Sequence, residues 1–177
     1  MLSSSRLILR PFSLADVPKV FVMSGEGGMR RWIPDQVYRS EDHAAQVVRA
    51  LMAFTESGPD PRANPYVLGI EHKETGSLIG HIGLSPARGS VEIGYAIEQR
   101  LQRNGLATEA VTVVSGWALA ELGLPEVLGI VAADNAPSCR VLEKAGFLRI
   151  GEEIKPTEAG PCPILVYRRV GAQRTSR

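Results

Sequence analysis

One change of apolar period constrains the fold of this chain more than any other feature. In Val91-Glu92-Ile93-Gly94-Tyr95-Ala96-Ile97 the large apolar side chains stand at alternate positions, the period of a half-buried strand. Ala107, Ala110, Val111, Val114, Ala118 and Leu122 then recur at the spacing of one helix face. A short polar loop, Gln102-Arg103-Asn104-Gly105, lies between them, and a further apolar run, Val127-Leu128-Gly129-Ile130-Val131, follows the helix. Strand, helix and strand in that order require parallel pairing and an α/β architecture.

The loop has its own chemistry. Gly105 lets the chain approach a ligand closely or turn with positive φ, and small Ala107 lets the helix start sit tight against what lies beneath. The N–H groups of a first helical turn have no partner inside the helix, and the positive end of the dipole favours an anion there. Dipole attraction contributes only about 0.3–1 kcal/mol per exposed charge, whereas a hydrogen bond to a charged group contributes roughly 1.5–3 kcal/mol. Converging amides must therefore carry any anion. A Walker loop needs Gly-Lys-Ser/Thr where this chain has Gly105-Leu106-Ala107, and a dinucleotide fingerprint needs three glycines. Neither fits. The spacing also suits an ordinary strand-to-helix turn.

Elsewhere, Arg6 to Pro11 reads as a first strand, and Ser13 or Asp16 caps a short helix that runs toward Ser24 and ends at Gly25-Glu26-Gly27-Gly28. Ser40-Glu41-Asp42 opens a second helix with Ala44, Val47, Val48, Leu51 and Phe54 as its apolar face, stopped by Gly58-Pro59-Asp60-Pro61. Tyr66 to Ile70 and Leu78 to Leu84 flank Lys73-Glu74-Thr75-Gly76, a hairpin signal. A helix from Ser138 to Ala145 closes at Gly146, and Phe147 to Ile154 and Ile164 to Val170 complete the sheet.

The 177 residues, 44% hydrophobic and 22% charged, suit one globular domain spanning 1–177 with its core at about 6–170. Twenty basic against nineteen acidic residues leave a net charge of +1, so bulk electrostatics call for neither nucleic acid nor a membrane as partner. No apolar run reaches the roughly 18 residues of a membrane span, and Met1-Leu2-Ser3-Ser4-Ser5 leads straight into a strand, which reads as a cytosolic (cytoplasmic) chain. Cys139 and Cys162 supply neither a disulfide framework nor metal spacing, so no metal is expected.

A second cluster, Asn135-Ala136-Pro137-Ser138-Cys139-Arg140-Val141-Leu142-Glu143-Lys144-Ala145-Gly146-Phe147, lies one strand beyond the long helix. Together the two clusters resemble the GNAT N-acetyltransferase superfamily, whose phosphate loop reads Gln/Arg-x-x-Gly-x-Gly/Ala; Gln102, Gly105 and Ala107 fill those places. Glu92-Ile93-Gly94-Tyr95, Arg103 to Ala110, Asn135 to Phe147 and the opening Arg6-Leu7-Ile8-Leu9-Arg10-Pro11 are similar to the ribosomal-protein alanine acetyltransferase (RimJ/RimL-like) branch. The resemblance runs from about residue 6 to about residue 170. It implies a mixed α/β (α+β) domain with a twisted sheet of six to seven strands, about four flanking helices, and a splayed parallel strand pair that admits acetyl-CoA.

By this resemblance the acetyl-CoA diphosphate rests on the loop of Gln102, Arg103, Asn104, Gly105, Leu106, Ala107 and Thr108. The pantetheine arm runs along Tyr95, Ala96 and Ile97 and meets Asn135, and Arg140 reaches the cofactor. Asn135 also suits an N-cap. The reaction implied is direct attack of a primary amine on the thioester, the amine being a peptide N-terminus or a small molecule. A CoA-binding regulatory module and a transferase for longer acyl groups are the alternatives. Ser138 occupies the place of the serine that protonates the departing thiolate in this branch, and a backbone N–H near Ile97 would polarise the carbonyl.

Glu92 is a candidate base on the strand lining the site, where burial would raise its pKa. Glu153 and Glu158 follow the sixth strand, with Thr157 where the ribosomal-protein enzyme has its acid. His43, His72 and His81 read as structural or exposed. Trp32 and Tyr38, in the loop between the first two helices, offer an aromatic wall for the acceptor or an anchor for that loop. The resemblance allows a homodimer.

Overall fold

The period change at residues 91–122 folds as β5 (Ser90–Ile97) and α4 (Leu106–Ala120) in the computed structural model, which describes residues 1–157 and 160–171. Before them come β1 (Leu2–Ser3), β2 (Leu7–Arg10), α1 (Val17–Ser24), α2 (Gly27–Trp32), α3 (Glu41–Glu56), β3 (Tyr66–His72) and β4 (Ser77–Ala87). After them come β6 (Glu126–Ala132), α5 (Ala136–Lys144), β7 (Leu148–Thr157) and β8 (Gly160–Val170). The strands form one sheet in the order β1-β2-β3-β4-β5-β6-β8-β7. Every neighbouring pair is antiparallel except β5 and β6, which are parallel.

The mixed α/β domain is therefore as expected, with eight strands in place of six to seven. The two-residue β1, paired Leu2 to Leu9 and Ser3 to Ile8, is too short to leave a periodic signal. The first inter-helix segment also differs from its reading. Gly27 and Gly28 do not merely end a helix; they open α2, which takes Arg30, Arg31 and Trp32 out of the loop. Two glycines are poor helix formers, but Met29 is buried and the Ile33 N–H closes the turn on the Met29 carbonyl at 2.9 Å. Packing outweighs propensity over this single turn and a half.

Other local signals fold as read. Ser40 caps α3, its side chain accepting from the His43 N–H. Gly76, at φ +63°, turns the β3–β4 hairpin, its N–H bonded to the His72 carbonyl at 2.8 Å. At the end of α5, Gly146 takes φ +85° and donates to the Glu143 carbonyl, while Phe147 donates to Leu142. Phe147 and Leu142 are both buried, which completes a Schellman stop with its apolar contact.

The sheet carries two apolar clusters. Ile82, Leu84, Ile93, Val111, Val114, Leu142 and Tyr167 belong to the larger, built with α4 and α5. Phe12, Val17, Met23, Ala44 and Val48 belong to the smaller, built with α1 and α3. Alternation along β4 sends His81 to the face opposite Ile82.

What positions the site is the weakness of one ladder. β5 and β6 are in register only at Glu92 with Leu128. Beyond that pair the two strands have no mutual partners among the described residues, although β5 stays paired to β4 and β6 to β8. The sheet thus opens between them toward the carboxyl ends of both strands, where the loop before α4 and the start of α5 lie.

Candidate active site

The loop that leaves β5 is held in a strained shape. Arg103 (φ +66°) and Gly105 (φ +78°) both adopt left-handed backbone, a conformation that costs any residue but glycine. Gln102 ties the loop to the end of β5 by donating from Nε2 to the Ile97 carbonyl at 2.9 Å. Asn104 folds back, its Nδ2 donating to the Leu101 and Gln102 carbonyls. Gly105 is the N-cap of α4, and the Glu109 N–H closes the first turn on its carbonyl at 3.0 Å. Among the described residues no acceptor of the chain meets the N–H groups of Gly105, Leu106, Ala107 or Thr108. These residues line a cleft of about 490 Å³ together with Arg103. Four unpartnered amides at a helix start, beside a guanidinium, suit an anion with several oxygens.

The second wall is the open edge of β5. The Glu98 N–H donates to the Ile79 carbonyl at 2.8 Å, and the register pairs Gly80 with Ile97 and Ile82 with Tyr95. Hydrogen-bonded pairs alternate along an antiparallel ladder, so the main-chain groups of Ile97 and Tyr95 turn away from β4 and into the splay. Gly80 makes this close approach possible, because a Cβ there would stand 2.2 Å from the Ala96 carbonyl oxygen.

Opposite that edge, α5 begins. Asn135 caps it, Oδ1 accepting from the Ser138 N–H at 3.3 Å, and Pro137 occupies the first turn. The Ser138 hydroxyl lies 2.8 Å from the Tyr95 hydroxyl, which is also 3.2 Å from the Ser138 carbonyl oxygen. Burial pushes the Tyr95 phenol up to about 12, so it stays protonated and can donate. Ser138 and Tyr95 thus form a hydroxyl pair that spans the splay from α5 to β5. Arg140 and Lys144, one helical turn apart on α5, line the same cleft with their cations exposed.

The third wall comes from α1, α2 and the segment that follows them. Val20, Met23, Met29, Trp32, Ile33 and Tyr38 border the cleft. His81, on β4 opposite Ala96, opens into the cleft from the sheet. Burial lowers its pKa to about 4, so the imidazole is neutral at neutral pH. The carboxylates here are partly engaged, with Glu98 Oε2 buried and without a hydrogen-bond partner among the described residues. Glu26 accepts from the Gln99 N–H at 2.8 Å, and Glu98 holds Lys19 at 2.7 Å and Arg100 at 2.9 Å. The Arg100 and Lys19 hydrogen bonds outweigh the burial of Glu98 and keep its pKa below the usual carboxylate value.

Most of the expected residues meet at this cleft: Tyr95, Ala96, Ile97, Gln102, Arg103, Gly105 to Thr108, Asn135, Ser138 and Arg140 line it, as do Trp32 and Tyr38. Two do not. Asn104 turns its side chain back into its own loop. Glu92 sits at the closed end of the splay, paired with Leu128 and outside the cleft lining; burial raises its pKa, opposed by Lys155 and Arg88. Of the later acids, Glu153 is paired with Arg88 at 2.7 Å on β7, and the Thr157 hydroxyl bonds the Gly160 carbonyl. Glu158 lies outside the described residues. Sequence reasoning missed His81 and Lys144. A single polar residue inside the apolar run Leu78 to Leu84 was the signal for the first, and the four-residue step from Arg140 was the signal for the second.

Comparison with known proteins agrees with this geometry. A family model described as an acetyltransferase (GNAT) domain matches residues 6–148. The uncharacterized N-acetyltransferase YoaA of Bacillus subtilis is 30% identical over 154 residues, covering 85% of this chain and 84% of that one. A GNAT-family acetyltransferase from Bacillus anthracis superposes with a TM-score of 0.82 at 22% identity, over 96% of this chain and 97% of that chain. RimL, a ribosomal L7/L12 α-N-protein acetyltransferase solved in complex with coenzyme A, superposes with a TM-score of 0.79 at 15% identity, over 94% of this chain and 95% of that chain. With its splayed strands, its helix-start loop and this match over most of its length, the chain belongs to the GNAT acetyltransferase family and is an acyltransferase.

Proposed function

We propose that the chain is an acetyl-CoA-dependent N-acetyltransferase whose acceptor is a primary amine with an apolar body, either a small molecule or a peptide N-terminus with an apolar first side chain. One observation carries this reading: the unpartnered amides of α4, the free edge of β5 and the Ser138–Tyr95 pair all border one cleft. RimL, of the same fold, was solved with coenzyme A bound.

The donor set fits acetyl-CoA. The amides of Gly105 to Thr108, with Arg103 beside them, would hold the diphosphate, and Arg140 and Lys144 supply further positive charge along α5. The main-chain groups of Tyr95 would pair with the pantetheine amides, and Asn135 keeps its Nδ2 donors for the same arm. When bound, acetyl-CoA supplies the acetyl group as an activated thioester. The Ile97 N–H, turned away from β4 into the splay, would stabilise charge on the carbonyl oxygen.

Ser138 is the acid in this reading. Its hydroxyl proton goes to the departing thiolate, and Tyr95, held protonated by burial, donates a hydrogen bond that steadies the serine oxygen until it regains a proton from solvent. The base is His81 rather than Glu92, because His81 faces the cleft and is neutral, so it has a lone pair to offer. An imidazole held near 4 is a weak base toward an exposed ammonium. The desolvation that lowers its pKa lowers that of an entering amine as well, which narrows the gap.

The acceptor class follows from the third wall. Met23, Met29, Trp32 and Ile33 are apolar, and Glu98 already holds Lys19 and Arg100 through Oε1. Thiol release from acetyl-CoA over a panel of amines and short peptides tests the proposal. Primary amines with an apolar body should be acetylated in preference to those with a polar one. Binding of acetyl-CoA with no release across the panel would leave a CoA-binding module instead, and faster release from butyryl-CoA than from acetyl-CoA would indicate a longer acyl donor.

A further inference from the structure

We propose that Arg6 and Glu109, which lie outside the cleft, are positioning residues that aim the amides of the α4 loop at the acyl donor; this rests on reading that loop as a diphosphate site. Arg6 stands at the start of β2, behind the loop, and makes two kinds of bond. Its Nη1 donates to the Asn104 carbonyl at 2.9 Å, and its Nε donates to Glu109 Oε2 at 2.7 Å. Glu109, in the first turn of α4, also accepts from the Arg6 main-chain N–H at 2.8 Å and from the Ser5 hydroxyl at 3.0 Å.

The consequence follows from the planarity of the peptide unit. The Asn104–Gly105 bond is trans, so the Asn104 C=O and the Gly105 N–H point in opposite directions. A guanidinium that draws the carbonyl backward turns the next N–H forward, away from β2 and toward the ligand. At the following peptide the helix itself acts in the same sense, the main-chain N–H of residue 109 holding the Gly105 carbonyl at 3.0 Å and leaving the Leu106 N–H turned outward; the Glu109 side chain acts by holding Arg6 against the loop. The left-handed φ of Arg103 is the backbone cost of this arrangement, and the clamp holds the loop in it.

Charge belongs to the same device. A lone carboxylate one turn from the site would repel a diphosphate. Here Arg6 Nη2 lies 2.7 Å from Glu109 Oε2, and the carboxylate is only 15% exposed. Burial alone would raise its pKa, yet the hydrogen bonds it accepts hold it down to about 2. The ion pair presents little net charge to the ligand, and the loop amides keep theirs.

The test compares dissociation constants for acetyl-CoA, by calorimetry, and for S-acetyl-pantetheine, which has the same thioester arm and no diphosphate, by NMR titration. No acceptor amine is needed. The wild type should bind acetyl-CoA more tightly, and Glu109→Gln and Arg6→Lys should each reduce that preference by about tenfold or more, the worth of one misdirected amide on a charged group. The double variant should lose less than the sum of the two, because the residues act as a unit. Arg6 is 45% exposed, so Arg6→Lys carries the test if Glu109→Gln does not fold. Variants that weaken both ligands equally, or that keep the wild-type preference, would overturn the positioning role alone. A wild type without any preference would overturn the diphosphate reading and this proposal with it.

Discussion

Ser138 shows how much a single residue depends on its place. A serine in the first turn of a helix ordinarily stabilises that turn, but here Asn135 caps α5 and the Ser138 hydroxyl is turned to Tyr95 across the splay. Ser138→Ala should therefore lower kcat about a hundredfold or more, the scale of lost acid catalysis, while calorimetry shows little change in acetyl-CoA affinity. Unchanged turnover would remove it from the mechanism. His81 makes a prediction about stability. Burial holds it near pKa 4 against 6.5 for a free imidazole, so between those values the unfolded chain binds more protons. Its contribution is fully present above about pH 6.5 and is lost as the pH falls toward 4. His81→Gln should flatten the fall in denaturant-derived stability over that window, and an unaltered slope would show that the imidazole is not desolvated. Neither role was legible from the residues taken by themselves. The sequence shows Ser138 only by resemblance, and it shows His81 only as one polar residue in an apolar strand.

At the scale of elements, the legible parts are those whose signals are local. The alternation in β5, the face of α4 and the glycine stop of α5 are each set within a few residues, and each folds as expected. α2 is the counterexample: its two glycines favour a break, and only the burial of Met29, a tertiary fact, makes it a helix. Glycines at two other positions give sharper tests. Gly105→Val puts a β-branched residue at φ +78° and should abolish acetyl-CoA binding with the far-ultraviolet circular dichroism unchanged; retained affinity would be hard to reconcile with the loop assignment. Gly80→Ala forces a Cβ to within 2.2 Å of the Ala96 carbonyl oxygen. It should lower the melting temperature and also weaken acetyl-CoA binding, because the strand edge that moves is the one lining the splay. A melting temperature equal to that of the wild type would show that β4 and β5 are not so close.

The whole molecule explains why the remainder could not be read in advance. The cleft lies where two apolar clusters meet, one with α4 and α5 and one with α1 and α3, and its walls come from segments as far apart as Val20 and Lys144. Parallel pairing was predictable, but the failure of its ladder beyond Glu92 and Leu128 was known only through the resemblance. The insertion of β8 between β6 and β7 left no mark on periodicity, and Arg6 and Glu109 meet across 103 residues of chain. The central claim is that the amides at the start of α4 bind the acyl donor. It is tested most directly by titrating the isotopically labelled protein with acetyl-CoA and following each backbone amide by NMR. The N–H signals of Gly105, Leu106, Ala107 and Thr108 should move furthest and saturate together, at the dissociation constant measured by calorimetry. Saturable shifts confined to other parts of the sheet, with these four amides unmoved, would contradict it.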